Sequence, residues 1–114
     1  MLIIKKIVEI NNQNPNSIII LTGDFESDEK EKSIQFILKN DKIKLYSSSQ
    51  FNSSFTFHEF TGVGSLKKDF IFYNKNLSCY NYKIIDESFN GKYPSDHFPI
   101  LSDLRVISDI RFDY

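Results

Sequence analysis

Asp96 and His97 stand side by side in Tyr93-Pro94-Ser95-Asp96-His97-Phe98-Pro99-Ile100, a carboxylate and an imidazole bracketed by two prolines. Adjacent side chains on extended backbone point to opposite faces. The pair therefore serves one site only where the chain bends, as at the mouth of a strand. Pro94 and Pro99 restrict the backbone on either side and favour a fixed geometry. Alone, the pair reads as a turn entering a strand. Two further carboxylates stand at the edges of apolar runs: Asp24 after Ile18-Ile19-Ile20-Leu21, and Asp69 ahead of Phe70-Ile71-Phe72-Tyr73. Together with His97 they have the composition of a hard-metal phosphoryl-transfer site. Mg²⁺ prefers carboxylate oxygen and water, typically one or two carboxylates plus substrate phosphate. An imidazole can carry or share charge at neutral pH.

The elements that must position these groups follow from periodicity. Apolar residues at 3, 4, 7 and 8 predict that residues 2–10 end an amphipathic helix. Asn11 to Ser17, with its Asn and Pro, is a loop. The continuous run Ile18 to Leu21 predicts a strand buried on both faces. Gly23 then permits a sharp exit, and Asp24 is displayed at the strand's C-terminal end, where open α/β sheets bind ligands. Ser27 or Asp28 can cap the next helix, with Ile34, Ile37, Leu38 and Phe36 marking about three turns that end near Asn40. Ile43 to Tyr46 is a short strand and Ser47 to Ser54 a polar loop. Thr61-Gly62-Val63-Gly64 resembles a phosphate loop, but it lacks the strand before and the helix after that such a loop requires. Strands are expected at Asp69–Tyr73, Tyr80–Ile85 and Phe98–Val106, followed by a polar-aromatic tail. The order is helix, strand, helix, then several strands, an α/β layered arrangement.

Composition narrows the function classes. The chain has 114 residues, enough for one domain. With 14 Lys and Arg against 15 Asp and Glu, the net charge of −1 provides no basic field of the kind a dedicated nucleic-acid binder shows. A phosphate substrate stays open, because a bound cation can supply positive charge locally. Cys79 is the single cysteine, so no disulfide framework or cysteine zinc cluster forms within one chain. The opening Met-Leu-Ile-Ile-Lys-Lys is not ordered as a signal peptide, and no apolar run approaches a membrane span. The expectation is a soluble, intracellular (cytoplasmic) protein with no membrane partner.

Four motifs fall in order: Leu21-Thr22-Gly23-Asp24-Phe25, Thr56-Phe57-His58-Glu59-Phe60-Thr61-Gly62, Asp69-Phe70-Ile71-Phe72, and Ser95-Asp96-His97-Phe98-Pro99-Ile100. In this the chain resembles the C-terminal half of the endonuclease/exonuclease/phosphatase superfamily, the relatives of deoxyribonuclease I. The resemblance covers about residues 2 to 106. It implies half of a four-layered α/β sandwich, with one mixed, mainly antiparallel sheet and helices on one face. It implies that Asp24 positions water or metal, that Asp69 orients the catalytic His97, and that Asp96 joins Asp24 at a Mg²⁺ (or Mn²⁺) site. Glu26 stands where the family has a phosphate-contacting Asn, and an ionised Glu can only accept hydrogen bonds. His58 is either a substrate contact at the rim or a structural histidine.

The family's N-terminal half is expected to be absent from residues 1–114, leaving an apolar sheet face for that half or a second copy to cover. Two functions follow from the resemblance. One is a metal-dependent phosphoesterase in the complete domain, acting on a phosphate ester, nucleic acid included, with the isolated chain inactive. The other is a non-catalytic remnant or assembly subunit of the same fold.

Overall fold

The computed structural model describes residues 2–25 and 32–107. Two helices and five strands follow in the order α1 (Leu2–Gln13), β1 (Ile20–Asp24), α2 (Lys32–Lys39), β2 (Leu45–Ser47), β3 (Asp69–Asn74), β4 (Leu77–Ile84) and β5 (Ile100–Val106). The first helix runs three residues past the periodic stretch and stops ahead of Pro15, where the residue before proline leaves the helical region. The second is closed by Asn40. Its side-chain amide donates to the Ile37 carbonyl, while its Oδ1 accepts from the backbone N–H groups of Lys42 and Ile43. The expected caps Ser27 and Asp28 lie outside the described residues. Among those described, no helix is long and apolar enough to cross a membrane.

The fold class is the α/β arrangement expected, with the strands sorted into two antiparallel sheets rather than one. The first has the order β1-β3-β2, and β4 pairs with β5 in the second. The separation has a local cause at the corner between β3 and β4. Asn74 donates to the Ser17 carbonyl and accepts from the Ile19 N–H; Asn76 donates to the carbonyls of Pro15 and Ser17. These bonds clamp the corner to the linker between α1 and β1. The chain then leaves β3 instead of folding back along it.

Alternation along the three-stranded sheet assigns its faces. Ile19, Leu45, Phe70 and Phe72 pack with Ile4, Ile7, Ile34 and Ile37 of the helices in one core. Phe70 and Phe72 stack in parallel at 5.6 Å, and Phe25 meets both edge-on. Burying each such side chain stabilises the fold by about 1.5–3 kcal/mol. The opposite face carries Ile20, Thr22 and Asp24, which pair in register with Tyr73, Ile71 and Asp69. It has no covering layer among the described residues: Ile18 and Ile20 are half exposed. The expectation that Ile18 to Leu21 would be buried on both faces is therefore corrected. Only the helix-facing side is buried.

Candidate active site

The first sheet delivers two carboxylates to one place. Asp24 closes β1 and Asp69 opens β3, and the antiparallel register sets them directly opposite each other. Gly23 lies within the strand, paired with Phe70, so the chain leaves the ladder after Asp24 and not before it. Phe25 extends the pairing by one bond, its N–H to the Lys68 carbonyl at 2.9 Å.

His97 arrives from a different segment. Residues 56–58 pair with 96–98: the Phe98 N–H donates to the Thr56 carbonyl at 2.7 Å, and the His58 N–H to the Asp96 carbonyl at 2.8 Å. Ser95 Oγ accepts from the His97 N–H and tightens the bend between the prolines. Phe57 sits opposite His97 in this bridge, with its ring edge-on to the imidazole at 5.1 Å. Above the Phe57 ring, at 4.1 Å, is Lys68 Nζ.

The imidazole fills the gap between the carboxylates. Its Nδ1–H donates to Asp69 Oδ2 at 2.7 Å, while Nε2 lies 3.7 Å from Asp24 Oδ2 and 3.9 Å from Asp96 Oδ1. The bond to Asp69 raises the His97 pKa above its ordinary value. Burial opposes the rise, and the charges of Asp69, Asp24 and Asp96 add to it. One atom each from Asp24, Asp69 and His97 lie within 4.8 Å of one another, a grouping that could hold a metal ion. The side chains of Asp24 and Asp96 are more than a third exposed, against 18% for Asp69. The open face beside them forms a recess of about 390 Å³, lined by Thr22, Asp24, Asp69, Ile71 and Ile100. A further hollow of about 660 Å³ lies between the two helices, lined by Ile4, Val8 and Phe36, away from these acids.

The four residues singled out for chemistry thus converge, and of the two proposed for substrate contact only His58 is among the described residues. Glu26 lies outside the described residues. His58 is 1% exposed and offers substrate no surface. Its ring stacks on Phe98 at 4.1 Å and tilts against Tyr93 at 4.8 Å, and its Nδ1 accepts from the Gly62 N–H. Of the two readings of His58, the structural one holds.

Thr56 has a part that sequence reasoning did not assign. It is fully buried, and its hydroxyl accepts from the backbone N–H groups of both Lys68 and Asp69. One residue therefore holds the start of β3 through its side chain and the His97 segment through its carbonyl. The only hint in the sequence is a hydroxyl residue inside a phenylalanine-rich run.

No protein-family model matches this sequence, and no curated protein is similar enough to be matched. Solved structures do match. A mannosyl-6-phosphatase from Bacteroides thetaiotaomicron is 25% identical over 91% of this chain, with a TM-score of 0.77. An endonuclease/exonuclease/phosphatase from Bacteroides vulgatus is 26% identical over 93%, with a TM-score of 0.78. A family protein from Bacteroides thetaiotaomicron is 26% identical over 90%, with a TM-score of 0.75. The fold is thus similar to that of endonuclease/exonuclease/phosphatase family proteins. Its similarity spans 42–43% of the length of these three relatives.

Proposed function

We propose that this chain carries the imidazole and carboxylate part of a metal-dependent phosphoesterase site, as the C-terminal portion of a larger catalytic unit. The observation that carries the reading is the orientation of His97. Asp69 fixes Nδ1 as a donor, which leaves Nε2 directed between Asp24 and Asp96. With its pKa raised, His97 is favoured as a cation, and Nε2–H then donates a charge-assisted hydrogen bond to a phosphoryl oxygen.

Three carboxylates around that position would repel a phosphate, so the donor set calls for a cation as well. Asp24 and Asp96 suit Mg²⁺ or Mn²⁺: both offer carboxylate oxygen, and both are exposed enough for the ion to keep water and bind phosphate. A bound ion supplies Lewis-acid charge and a more acidic water. His97 and Asp69 supply the fixed donor. Thr56 and the 56–58 bridge hold both in place before substrate arrives, so little reorganisation is required.

One structural relative is a mannosyl-6-phosphatase, which supports phosphomonoesters as substrates beside phosphodiesters, nucleic acid included. The open face bearing Ile18 and Ile20 supports a unit completed by a further layer or by a second copy. The same face favours a second reading, an assembly subunit without turnover. By itself the chain is expected to show negligible hydrolysis of bis-p-nitrophenyl phosphate with Mg²⁺. Robust turnover lost in both Asp96→Ala and His97→Ala would show that no further layer is needed.

The metal half of the proposal is tested by titrating the full chain with Mn²⁺ while following the His97 ring protons by NMR. Selective broadening, weakened in Asp24→Asn and Asp96→Asn, is expected. Absence of broadening at millimolar Mn²⁺ would sink the metal site.

A further inference from the structure

We infer that Tyr82 is a positioning residue for His97: through one ordered water its hydroxyl adds a second hydrogen bond to Asp69, the carboxylate that orients the imidazole. The inference deepens, and rests on, the phosphoesterase reading of that site.

The strand register brings Tyr82 to the acids. Tyr82 pairs with Ser102 across β4 and β5, and Ile84 pairs with Ile100. Directly opposed residues share a face, as do residues two apart on one strand, so these four side chains stand together. Ile100 borders the acid recess beside Asp24 and Asp69. Tyr82 is thus one repeat, about 7 Å, along its strand from the rung that meets the acids. That step is comparable with the length of a tyrosine side chain. Ser49, just past β2, comes near the same hydroxyl, and its carbonyl accepts from Lys67 Nζ, two residues ahead of Asp69, at 3.1 Å.

The hydroxyl arrives there without a partner. Tyr82 Oη and Ser102 Oγ are both buried, and neither has a hydrogen-bond partner among the described residues. Ser49 is close to Tyr82 Oη but lacks the geometry of a bond. Buried polar groups are nearly always hydrogen-bonded, so two orphans on one face mark a place where another group supplies the bond. Asp69 has the matching capacity. Its Oδ2 accepts from His97 Nδ1–H at 2.7 Å, and a carboxylate has further lone pairs for a second donor. One water serves all three groups: it accepts from Tyr82 and donates to Asp69 and Ser102. About three partners is the usual number for a buried water. Burial pushes the Tyr82 pKa up to about 12; the nearby Ser49 side chain opposes the rise, and the negative charge of Asp69 adds to it. The phenol therefore keeps its proton at neutral pH and stays a donor.

A second donor on Asp69 acts on the imidazole in two ways. It fixes the rotation of the carboxylate, and so the direction in which His97 Nδ1–H points. Nε2 is thereby held toward Asp24 and Asp96. It also draws charge from the oxygen that His97 uses. A reacting group keeps its geometry only when the groups behind it are locked by packing and hydrogen bonds of their own.

The test follows the full chain by NMR at two atoms, the His97 Nδ1–H proton and the Tyr82 Cζ carbon that bears the hydroxyl. Tyr82→Phe removes the hydroxyl alone. Asp69 then becomes a stronger acceptor for His97, and the Nδ1–H signal should move further downfield. In the other direction, Asp69→Asn should shift Tyr82 Cζ, whereas Asp96→Asn, at the Nε2 side of the ring, should leave it in place. An Nδ1–H signal that stays put or moves upfield in Tyr82→Phe overturns the inference and leaves the phosphoesterase reading intact. So does a Cζ signal unmoved by Asp69→Asn, or moved equally by Asp96→Asn. If Tyr82→Phe fails to fold, the Cζ comparison decides alone. Inorganic phosphate with Mg²⁺ separates the two readings, since it should perturb the His97 ring of the wild type. No response there overturns the phosphoesterase reading, and with it the catalytic purpose of Tyr82, whatever the two substitutions do to the signals.

Discussion

Asp24 and Asp69 face each other on the last rung of the β1–β3 ladder, and the His97 imidazole sits between them. Like charges directly opposite across a sheet are destabilising. Here a histidine drawn from 28 residues beyond Asp69 offsets the conflict by hydrogen-bonding one carboxylate and lying beside the other. The pairing that costs stability is the one that builds the site.

The sign of the pH response follows. The His97 pKa is raised in the folded chain, chiefly by the bond to Asp69, so its stabilising contribution is fully present below the unfolded value of about 6.5. It is lost as pH rises through the higher folded value. Urea midpoints measured from pH 6 upward should therefore fall across that window, and the fall should vanish in His97→Gln. In Asp69→Asn the ring should titrate closer to the ordinary value by NMR.

Thr56→Val keeps the volume and removes the acceptor, leaving the N–H groups of Lys68 and Asp69 without that hydroxyl. The expected loss is about 1–3 kcal/mol by urea denaturation, the cost of a buried donor left unsatisfied. Thr56→Ser should recover most of it. A loss in Thr56→Ser with little or none in Thr56→Val would mean that the methyl group, not the hydroxyl, does the holding.

The two faces of the first sheet should respond very differently. Phe72→Ala, in the core, is expected to cost about 3–5 kcal/mol. Ile20→Ser, on the open face, should change the stability of dilute monomer by less than about 0.5 kcal/mol. A large, concentration-dependent loss at Ile20, with a dimer in analytical ultracentrifugation, would show instead that a second copy covers this face.

Glu59→Gly relieves a left-handed backbone at an exposed position. Stability should rise by up to about 1 kcal/mol, read as a higher thermal midpoint. A lower midpoint would mean that the Glu59 side chain contributes more to the turn than its backbone strain costs.

Local pattern and long-range pairing divide what could be read from the residues. The 3, 4, 7, 8 periodicity of α1 and the apolar runs of β1 and β3 were legible, because each is written within a few neighbours. So were Asp24, Asp69, Asp96 and His97, through the order of the four motifs. The open face of β1 was not. A run of four apolar residues looks the same whether one layer covers it or two. Nor was the fate of His58 legible, since a histidine in a loop and a histidine stacked on Phe98 differ only by a contact 40 residues away. Thr56 escaped for the same reason: its partners are Lys68, Asp69 and Phe98.

The asparagine clamp at Asn74 and Asn76 also sets an order of opening. It pins the Ile20–Tyr73 end of the first ladder to the α1 linker, whereas at the Asp24–Asp69 end Thr56 and His97 hold β3, and β1 is continued by the Phe25 N–H bond to the Lys68 carbonyl. Fluctuations at the acid end should therefore lift β1 and leave the start of β3 anchored. In amide hydrogen exchange, the Phe25 N–H should exchange well before the Leu21 and Asn74 N–H groups. Ligand binding at the acids would tie down the loosest rung, so its largest protection should appear there, far from the clamp.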